Sequence, residues 1–202
     1  MPSTGPPIAK PIAIRRAAVA FLPRLARRVR RRRPDAILFD REGALVSTLP
    51  ASGDPGEVRL RTGAAAAVAR ARAAGVAVAV VTSKGDERGL PTEVDERVNA
   101  RVDELVGQAD LWVECPHGPG EDCLCRKPAP GLIYLAAAAL GTRPERCLVV
   151  GDVAADIEAA EAAGARAVLL PSSRTTPEDL EAAPAVASSL DEAVAIALGE
   201  AA

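Results

Sequence analysis

Ala36-Ile37-Leu38-Phe39-Asp40-Arg41-Glu42-Gly43-Ala44-Leu45-Val46 opens as an apolar run and stops abruptly at an acid. Four continuous apolar residues without polar alternation read as a strand buried on both faces. An acid that directly ends such a strand sits where the chain leaves the core, so a plain surface role is disfavoured. Outward from this stretch, strands and helices alternate. Residues 62–74 form an Ala-rich helical stretch stopped by Gly75, a C-cap signal. Residues 76–81 are continuously apolar and β-branched at alternate positions, the pattern of a central parallel strand. Residues 92–106 read as a helix with Val94, Val98, Val102, Leu105 and Val106 on one face.

Further along, 111–113, 147–150 and 167–170 read as strands, and 131–140, 154–163 and 190–198 as helices. Thr176-Pro177-Glu178 gives an N-cap with proline at the first helical position. Strands separated by helices of this length predict a doubly wound, Rossmann-like α/β parallel sheet. In such sheets ligands sit outside the carboxyl ends of the strands. The residues just after the strands are therefore the functional candidates: Asp40, Thr82 with Ser83, Asp152, and Lys127 behind the loop that follows 111–113. Carboxylates hold a hard divalent cation such as Mg²⁺ through oxygen. A hydroxyl and an ammonium suit phosphoryl oxygens, and a carboxylate in line with phosphorus can act as a nucleophile.

That loop carries Cys115, His117, Cys123 and Cys125, three of the four cysteines and the only histidine, within residues 115–125. Thiolate and imidazole are zinc's preferred donors, and four of them close a tetrahedral shell, a structural rather than catalytic arrangement. A disulfide is the competing reading, but a Cys-x-Cys pair is strained as a disulfide and good as a chelate. The stretch is rich in glycine and proline and has no apolar face that would make its cysteines simple core residues. Arg126 and Lys127 follow directly, so the expected purpose of the metal is to hold a cation in place. Cys147 lies apart in an apolar run and reads as a buried free thiol.

The chain of 202 residues has a net charge of −2, which conceals an asymmetry. Residues 1–34 contain ten of the 25 basic residues and no acid, leaving 15 against 27 acids, a net of −12, in 35–202. The folded part is acidic and is not expected to bind nucleic acid through a broad field. The basic segment 1–34 is expected to be a disordered or partly helical extension, with a helix over 15–33 and Val19, Phe21, Leu22, Leu25 and Val29 as its apolar stripe. Its alternatives are a solvated leader and a contact with anionic lipid or RNA. No apolar stretch approaches the roughly 20 residues of a membrane span. Arg15-Arg16 with 17–22 is too short for an export signal and is interrupted by Pro23, so the protein is expected to be cytoplasmic, where metal-binding thiols stay reduced.

The strand-end motifs carry a resemblance. Leu38–Val46 resembles the first motif of the haloacid dehalogenase (HAD) superfamily, in which an apolar strand runs into Asp-x-Asp-Gly-Thr. Val80-Val81-Thr82-Ser83 is similar to its second motif, Arg126-Lys127-Pro128 to its third, and Gly151-Asp152 with Asp156 to its fourth. The Cys/His loop before Arg126 narrows the resemblance to the zinc-containing branch. That branch includes the heptose-bisphosphate phosphatases and the histidinol-phosphatase domain. The resemblance covers about 35–199 and implies one HAD-like domain over 35–202, without a large cap. It implies Asp40 as nucleophile and Mg²⁺ ligand, position 42 as general acid/base and carbonyl ligand, and Asp152 as a Mg²⁺ ligand. Thr82 would hydrogen-bond the phosphoryl group, Lys127 would neutralise it, and Ser83 and Arg126 would contact substrate. Asp156 would support the site from behind or begin a helix, Thr82 could instead cap a helix, and Arg126 could instead cover the metal loop.

The departures lie near the chemistry. The family's second acid is Asp, and here it is Glu42, whose extra methylene moves the carboxyl by about 1.5 Å. The usual threonine is Ala44, and Thr-Asn-Gln of the zinc branch becomes Thr82-Ser83-Lys84. Lys84 could meet a second phosphate or point into water. The expected function is a Mg²⁺-dependent phosphatase for a small phosphorylated sugar or related metabolite, working through an aspartyl-phosphate. The alternative is a catalytically weakened HAD-fold binding or regulatory protein.

Overall fold

The computed structural model describes residues 12–16, 33–83 and 91–200. The chain runs through β1 (Ala13–Arg16), β2 (Ala36–Phe39), β3 (Val46–Thr48), β4 (Arg59–Leu60), α1 (Ala64–Ala73), β5 (Ala77–Ser83), α2 (Thr92–Val106) and β6 (Leu111–Cys115). It continues through α3 (Gly131–Ala139), β7 (Cys147–Gly151), α4 (Ala154–Ala163), β8 (Arg166–Leu169), α5 (Pro177–Ala182) and α6 (Leu190–Leu198).

The main sheet has the order β1-β6-β5-β2-β7-β8. Its five central and right-hand strands are parallel, and β1 alone runs antiparallel, against β6. β2 is flanked by β5 on one side and β7 on the other, in matching register from Ala36 to Phe39. The connections after β2 wind one way to β5 and β6, and the later ones the other way to β7 and β8. The crevice of this doubly wound sheet therefore opens at the end of β2, where Asp40 stands.

Period-two alternation divides the core between the two faces of the sheet. Ile37, Phe39, Val78, Val80, Leu148 and Val150 join one apolar cluster, together with buried positions of α1, α2 and α6. Ala36, Leu38, Ala79, Val81, Val149 and Leu169 join the other, with α3 and α4. With few aromatic residues, alanine lets helices approach closely: α1 buries Ala64, Ala67, Val68 and Ala71, an i, i+3, i+4, i+7 face. α2 ends on Gly107 and α4 on Gly164, both in the left-handed conformation that closes a helix cheaply when the residue is glycine.

Two features depart from the sequence reading. The basic extension contributes a strand: Ala13–Arg16 adds to the edge of β6, whereas a disordered segment to residue 14 and a disordered or partly helical one from 15 were expected. The physical reason is that β6 would otherwise leave a row of unpaired backbone donors and acceptors at its edge. Arg15 also lies 5.6 Å from the centre of the Trp112 ring, a cation–π contact. The remainder of the expected 15–33 helix, residues 17–32, lies outside the described residues, as does Lys84. Second, residues 41–63 hold a small antiparallel pair, β3 with β4, which short and weakly patterned strands did not announce. No helix among the described residues is long and apolar enough to cross a membrane.

Candidate active site

The first acid is placed by the sheet itself. Asp40 follows β2 directly, its backbone N–H donates to the Val150 carbonyl at 2.8 Å, and its side chain is buried. The chain then makes a tight loop: the N–H groups of Leu45 and Val46 donate to the Arg41 carbonyl and that of Gly43 to the Val46 carbonyl. Gly43 has a φ of +94°, and a Cβ there would stand 2.0 Å from Asp152 Oδ2. The close approach of the two strand-end loops thus requires glycine at 43.

Lys127 lies between the two acidic loops. Its Nζ donates to Asp40 Oδ1, to Asp156 Oδ1 at 2.5 Å and to the Val81 carbonyl at 3.3 Å. The ammonium is almost wholly buried, and burial alone would disfavour its charge, yet the carboxylates of Asp156 and Asp40 hold its pKa above the ordinary lysine range. For Asp40 the balance goes the other way. Burial pushes its carboxyl up, to about 7, against the pull of Lys127. Asp156 also accepts from the backbone N–H groups of Asp152 and Val153 at 3.1 and 3.4 Å, so it anchors both the lysine and the loop before α4. Asp156 is the third residue of α4, so the lysine contact and the helix start fall on one side chain.

Asp152 is fully buried at the end of β7. Its carboxylate accepts from Ser172 Oγ at 2.5 Å and from Arg174 through Nε at 3.0 Å and Nη2 at 2.6 Å. Arg174 Nη2 also donates to the Glu42 carbonyl at 2.5 Å and lies 3.9 Å from Asp40 Oδ2. Although burial works against its charge, the hydrogen bonds and charge of Asp152 hold this guanidinium above its usual range. Arg61 ties the same loops together, donating to the carbonyls of Gly43 and Pro171 at 2.5 Å each.

Asp40, Lys127, Asp156 and Arg174 line one cavity of about 310 Å³, together with Arg41, Glu42, Thr82, Ser83 and Arg126. Ser83 Oγ accepts from the Lys127 N–H at 3.1 Å, which puts it under the lysine loop. Arg126 donates from Nη1 to the His117 carbonyl at 3.2 Å and lines the cavity as well, so covering the Cys/His loop and facing the cavity are compatible. Arg41, which the sequence reading leaves without a role, is buried. Its Nη1 donates to Asn99 Oδ1 at 2.5 Å, and Asn99 in turn donates to Glu114 at 2.9 Å. This polar chain joins the Asp40 loop to the strand that leads into Cys115.

The Cys/His loop is gathered. Cys115, His117, Cys123 and Cys125 bring their donor atoms within 4.8 Å of one another. Cys115 Sγ stands 3.9 Å from Cys123 Sγ and 3.1 Å from Cys125 Sγ, and His117 Nδ1 stands 3.2 Å from Cys125 Sγ. Ligands of a tetrahedral zinc, with bonds of about 2.3 Å, lie about 3.8 Å apart, so the donor set and spacing fit that ion. All four cysteines are free thiols, which disposes of the disulfide reading for 115–125. Burial pushes the Cys115 and Cys125 thiols up, and their mutual crowding adds to this for Cys125. Gly131 closes the loop: a Cβ there would lie 2.2 Å from the Leu124 carbonyl oxygen. Cys147 is the buried thiol expected of it, its pKa pushed up to about 12 by burial.

A second donor group consists of Asp40, Asp152 and Asp156, all buried. The carboxylates of Asp40 and Asp152 and the carbonyl of Glu42 are hard oxygen donors of the kind Mg²⁺ takes, and a guanidinium nitrogen already occupies their focus as a stand-in cation. The residues present therefore fit the ion.

A buried nucleophile-type acid at the central strand, a lysine between two acidic loops and a second acid at the neighbouring strand define the HAD-like class of hydrolases. Residues 124–193 match the family model described as HAD-hydrolase-like. A heptose-1,7-bisphosphate 7-phosphatase of Rhodopseudomonas palustris is 36% identical over 163 residues, 74% of this chain and 87% of that protein. The Pseudomonas putida protein of the same name is 45% identical over 74 residues, 37% of this chain. The matched stretch spans under half the length of that relative, 42%. Among solved structures, the D,D-heptose 1,7-bisphosphate phosphatase of B. bronchiseptica, complexed with magnesium and phosphate, is 27% identical with a TM-score of 0.71, covering 83% of this chain and 99% of that one. The chain belongs to the HAD-like hydrolase family that contains the D-glycero-β-D-manno-heptose-1,7-bisphosphate 7-phosphatases.

Proposed function

We propose that the protein is a Mg²⁺-dependent phosphatase of small phosphorylated sugars, of the heptose-bisphosphate type, that works through an aspartyl-phosphate on Asp40. The observation that carries this reading is the convergence of Asp40, Asp152 and the Glu42 carbonyl around one cation position, with Lys127 on Asp40 from the other side. The Rhodopseudomonas palustris and Pseudomonas putida relatives are named as phosphatases, and this supports turnover over the weakened binding protein considered as an alternative.

In this reading the free Asp40 oxygen attacks phosphorus as the ester P–O bond breaks. The Glu42 carboxyl gives its proton to the departing sugar oxygen. Glu42, now a carboxylate, takes a proton from water as that water attacks the phosphorus of the acyl phosphate, releasing phosphate and restoring Asp40. Lys127 balances the charge on the transferring group, and Thr82 and Ser83 border it at the end of β5. Mg²⁺, held by Asp40, Asp152 and the Glu42 carbonyl, supplies charge neutralisation between nucleophile and phosphoryl oxygens. Zinc, held by Cys115, His117, Cys123 and Cys125, serves as a staple for the loop that delivers Arg126 and Lys127. The substrate remains a small polar phosphate. Reduced thiols of this kind suit a cytoplasmic setting, and the basic segment before residue 34 has a contact with anionic surfaces as its proposed use.

Glu42→Gln should lower kcat by about a hundredfold or more, since it removes the proton donor while keeping the loop carbonyl; steady-state kinetics with Mg²⁺ measure it. Gly43→Ala should cost at least about a hundredfold in kcat/KM, because the added methyl displaces the Asp152 carboxylate. Near-normal kinetics for Gly43→Ala would show that the two loops do not close as described. The substrate class is tested by phosphate release from a panel of sugar mono- and bisphosphates. Hydrolysis of a sugar bisphosphate, abolished by EDTA and restored by Mg²⁺, is expected. A panel without turnover under Mg²⁺ would remove the proposal.

A further inference from the structure

Arg174 lies on the segment after β8, and no motif assigns it a part. We propose that its guanidinium is a built-in counter-cation that closes the magnesium position in the metal-free protein and has to swing out before Mg²⁺ can enter. This rests on the metal reading given above.

The geometry points to a single atom. Arg174 Nη2 touches Asp152 Oδ1 at 2.6 Å and the Glu42 carbonyl at 2.5 Å, and stands 3.9 Å from Asp40 Oδ2. Those three oxygens are the protein ligands proposed for the ion. Mg²⁺ holds its ligands at about 2.0–2.1 Å, so an ion among them would overlap the nitrogen. Ion and guanidinium exclude each other.

The surroundings separate the moving part from the fixed part. Asp152 is fully buried, whereas the Arg174 side chain is 43% exposed, so the arginine has a way out toward solvent. The segment itself is held without the guanidinium. Ser172 Oγ donates to Asp152 Oδ2 at 2.5 Å, Thr175 Oγ1 donates to the Asp152 carbonyl at 2.6 Å, and Arg61 holds the Pro171 carbonyl at 2.5 Å. Displacing the side chain leaves these contacts standing. Electrostatics supplies the reason for such a device. Three buried carboxylates, Asp40, Asp152 and Asp156, meet in one cleft, and Lys127 pairs with only two of them. Without an ion, Asp152 would be an uncompensated buried charge, which is costly. Arg174 compensates it, and metal affinity is reduced by the work of breaking that pair.

The test is titration calorimetry of the full chain with MgCl₂ alone, comparing wild type with Arg174→Gln and Arg174→Ala. Both variants remove the competing charge, and Arg174→Gln keeps a hydrogen-bonding side chain should Arg174→Ala fold poorly. The expected result is an apparent Kd for Mg²⁺ lowered tenfold or more in each folded variant. Thermal unfolding should show lower metal-free stability and a larger Mg²⁺-induced rise in Tm than in wild type. Equal or weaker Mg²⁺ binding in Arg174→Gln overturns the counter-cation role while leaving the metal reading intact. Absence of Mg²⁺ binding in wild type and variants alike overturns both.

Discussion

Asp40→Asn should lower Mg²⁺-dependent phosphate release by about a thousandfold or more while leaving the fold in place. The amide has the same shape as the carboxylate, and the position is held by the backbone bond to Val150 and by the buried β2 strand beneath it. What disappears is the nucleophile, along with one charged oxygen facing the cation position. Lys127 keeps Asp156 as an ion-pair partner, so its position survives the change. Thermal unfolding near the wild-type midpoint, paired with kcat from a continuous phosphate assay, separates lost chemistry from lost structure. Residual activity within tenfold of wild type would place the nucleophile elsewhere.

The second large effect belongs to the Cys/His loop. Cys125→Ser should reduce bound zinc from close to one per chain to near zero, and lower activity by about a hundredfold. Cys125 is buried among the other three donors and lies two residues before Lys127. Structural zinc contributes its binding free energy directly to the order of the segment it holds. Loosening that segment displaces the ammonium from between Asp40 and Asp156, and a misplacement of about 1 Å at a reacting centre costs on the order of a hundredfold. Elemental analysis after dialysis against a weak chelator reads the zinc, and limited proteolysis reads the loop. A wild-type protein without zinc, or a variant with full activity, would contradict the staple.

Much of this was legible before any coordinates, for identifiable reasons. Parallel strands buried on both faces give continuous apolar runs, so β2, β5 and β7 stand out, and glycines mark where helices end. Helix α2 was readable to its bounds, 92–106, because its apolar face repeats cleanly. The rule that ligands gather at strand ends then picks out Asp40, Thr82 and Asp152. What escaped was whatever depends on contacts distant in sequence. The edge strand Ala13–Arg16 exists because β6 offers an open edge, a fact about topology rather than about four residues in a basic segment.

Arg174 and Ser172 escaped for a different reason. The strand-end rule covers them, since they follow β8 as Asp152 follows β7, but the polar run after Leu170 carries no acid or motif to draw notice. Applying the rule evenly to every parallel strand would have flagged 171–176. The Arg41–Asn99–Glu114 chain could not be read at all, because it joins three elements through side chains that each look ordinary on their own.

The central claim is that phosphoryl transfer passes through Asp40. It is tested most directly by acid-quenching the enzyme during its first turnover of an aryl or sugar phosphate with Mg²⁺ and mapping the phosphoryl group by mass spectrometry of peptic fragments. The account predicts a Mg²⁺-dependent, hydroxylamine-labile phosphoryl group on Asp40. Phosphate release with the label on another residue, or with Asp40 unmodified throughout a resolved first turnover, would contradict it.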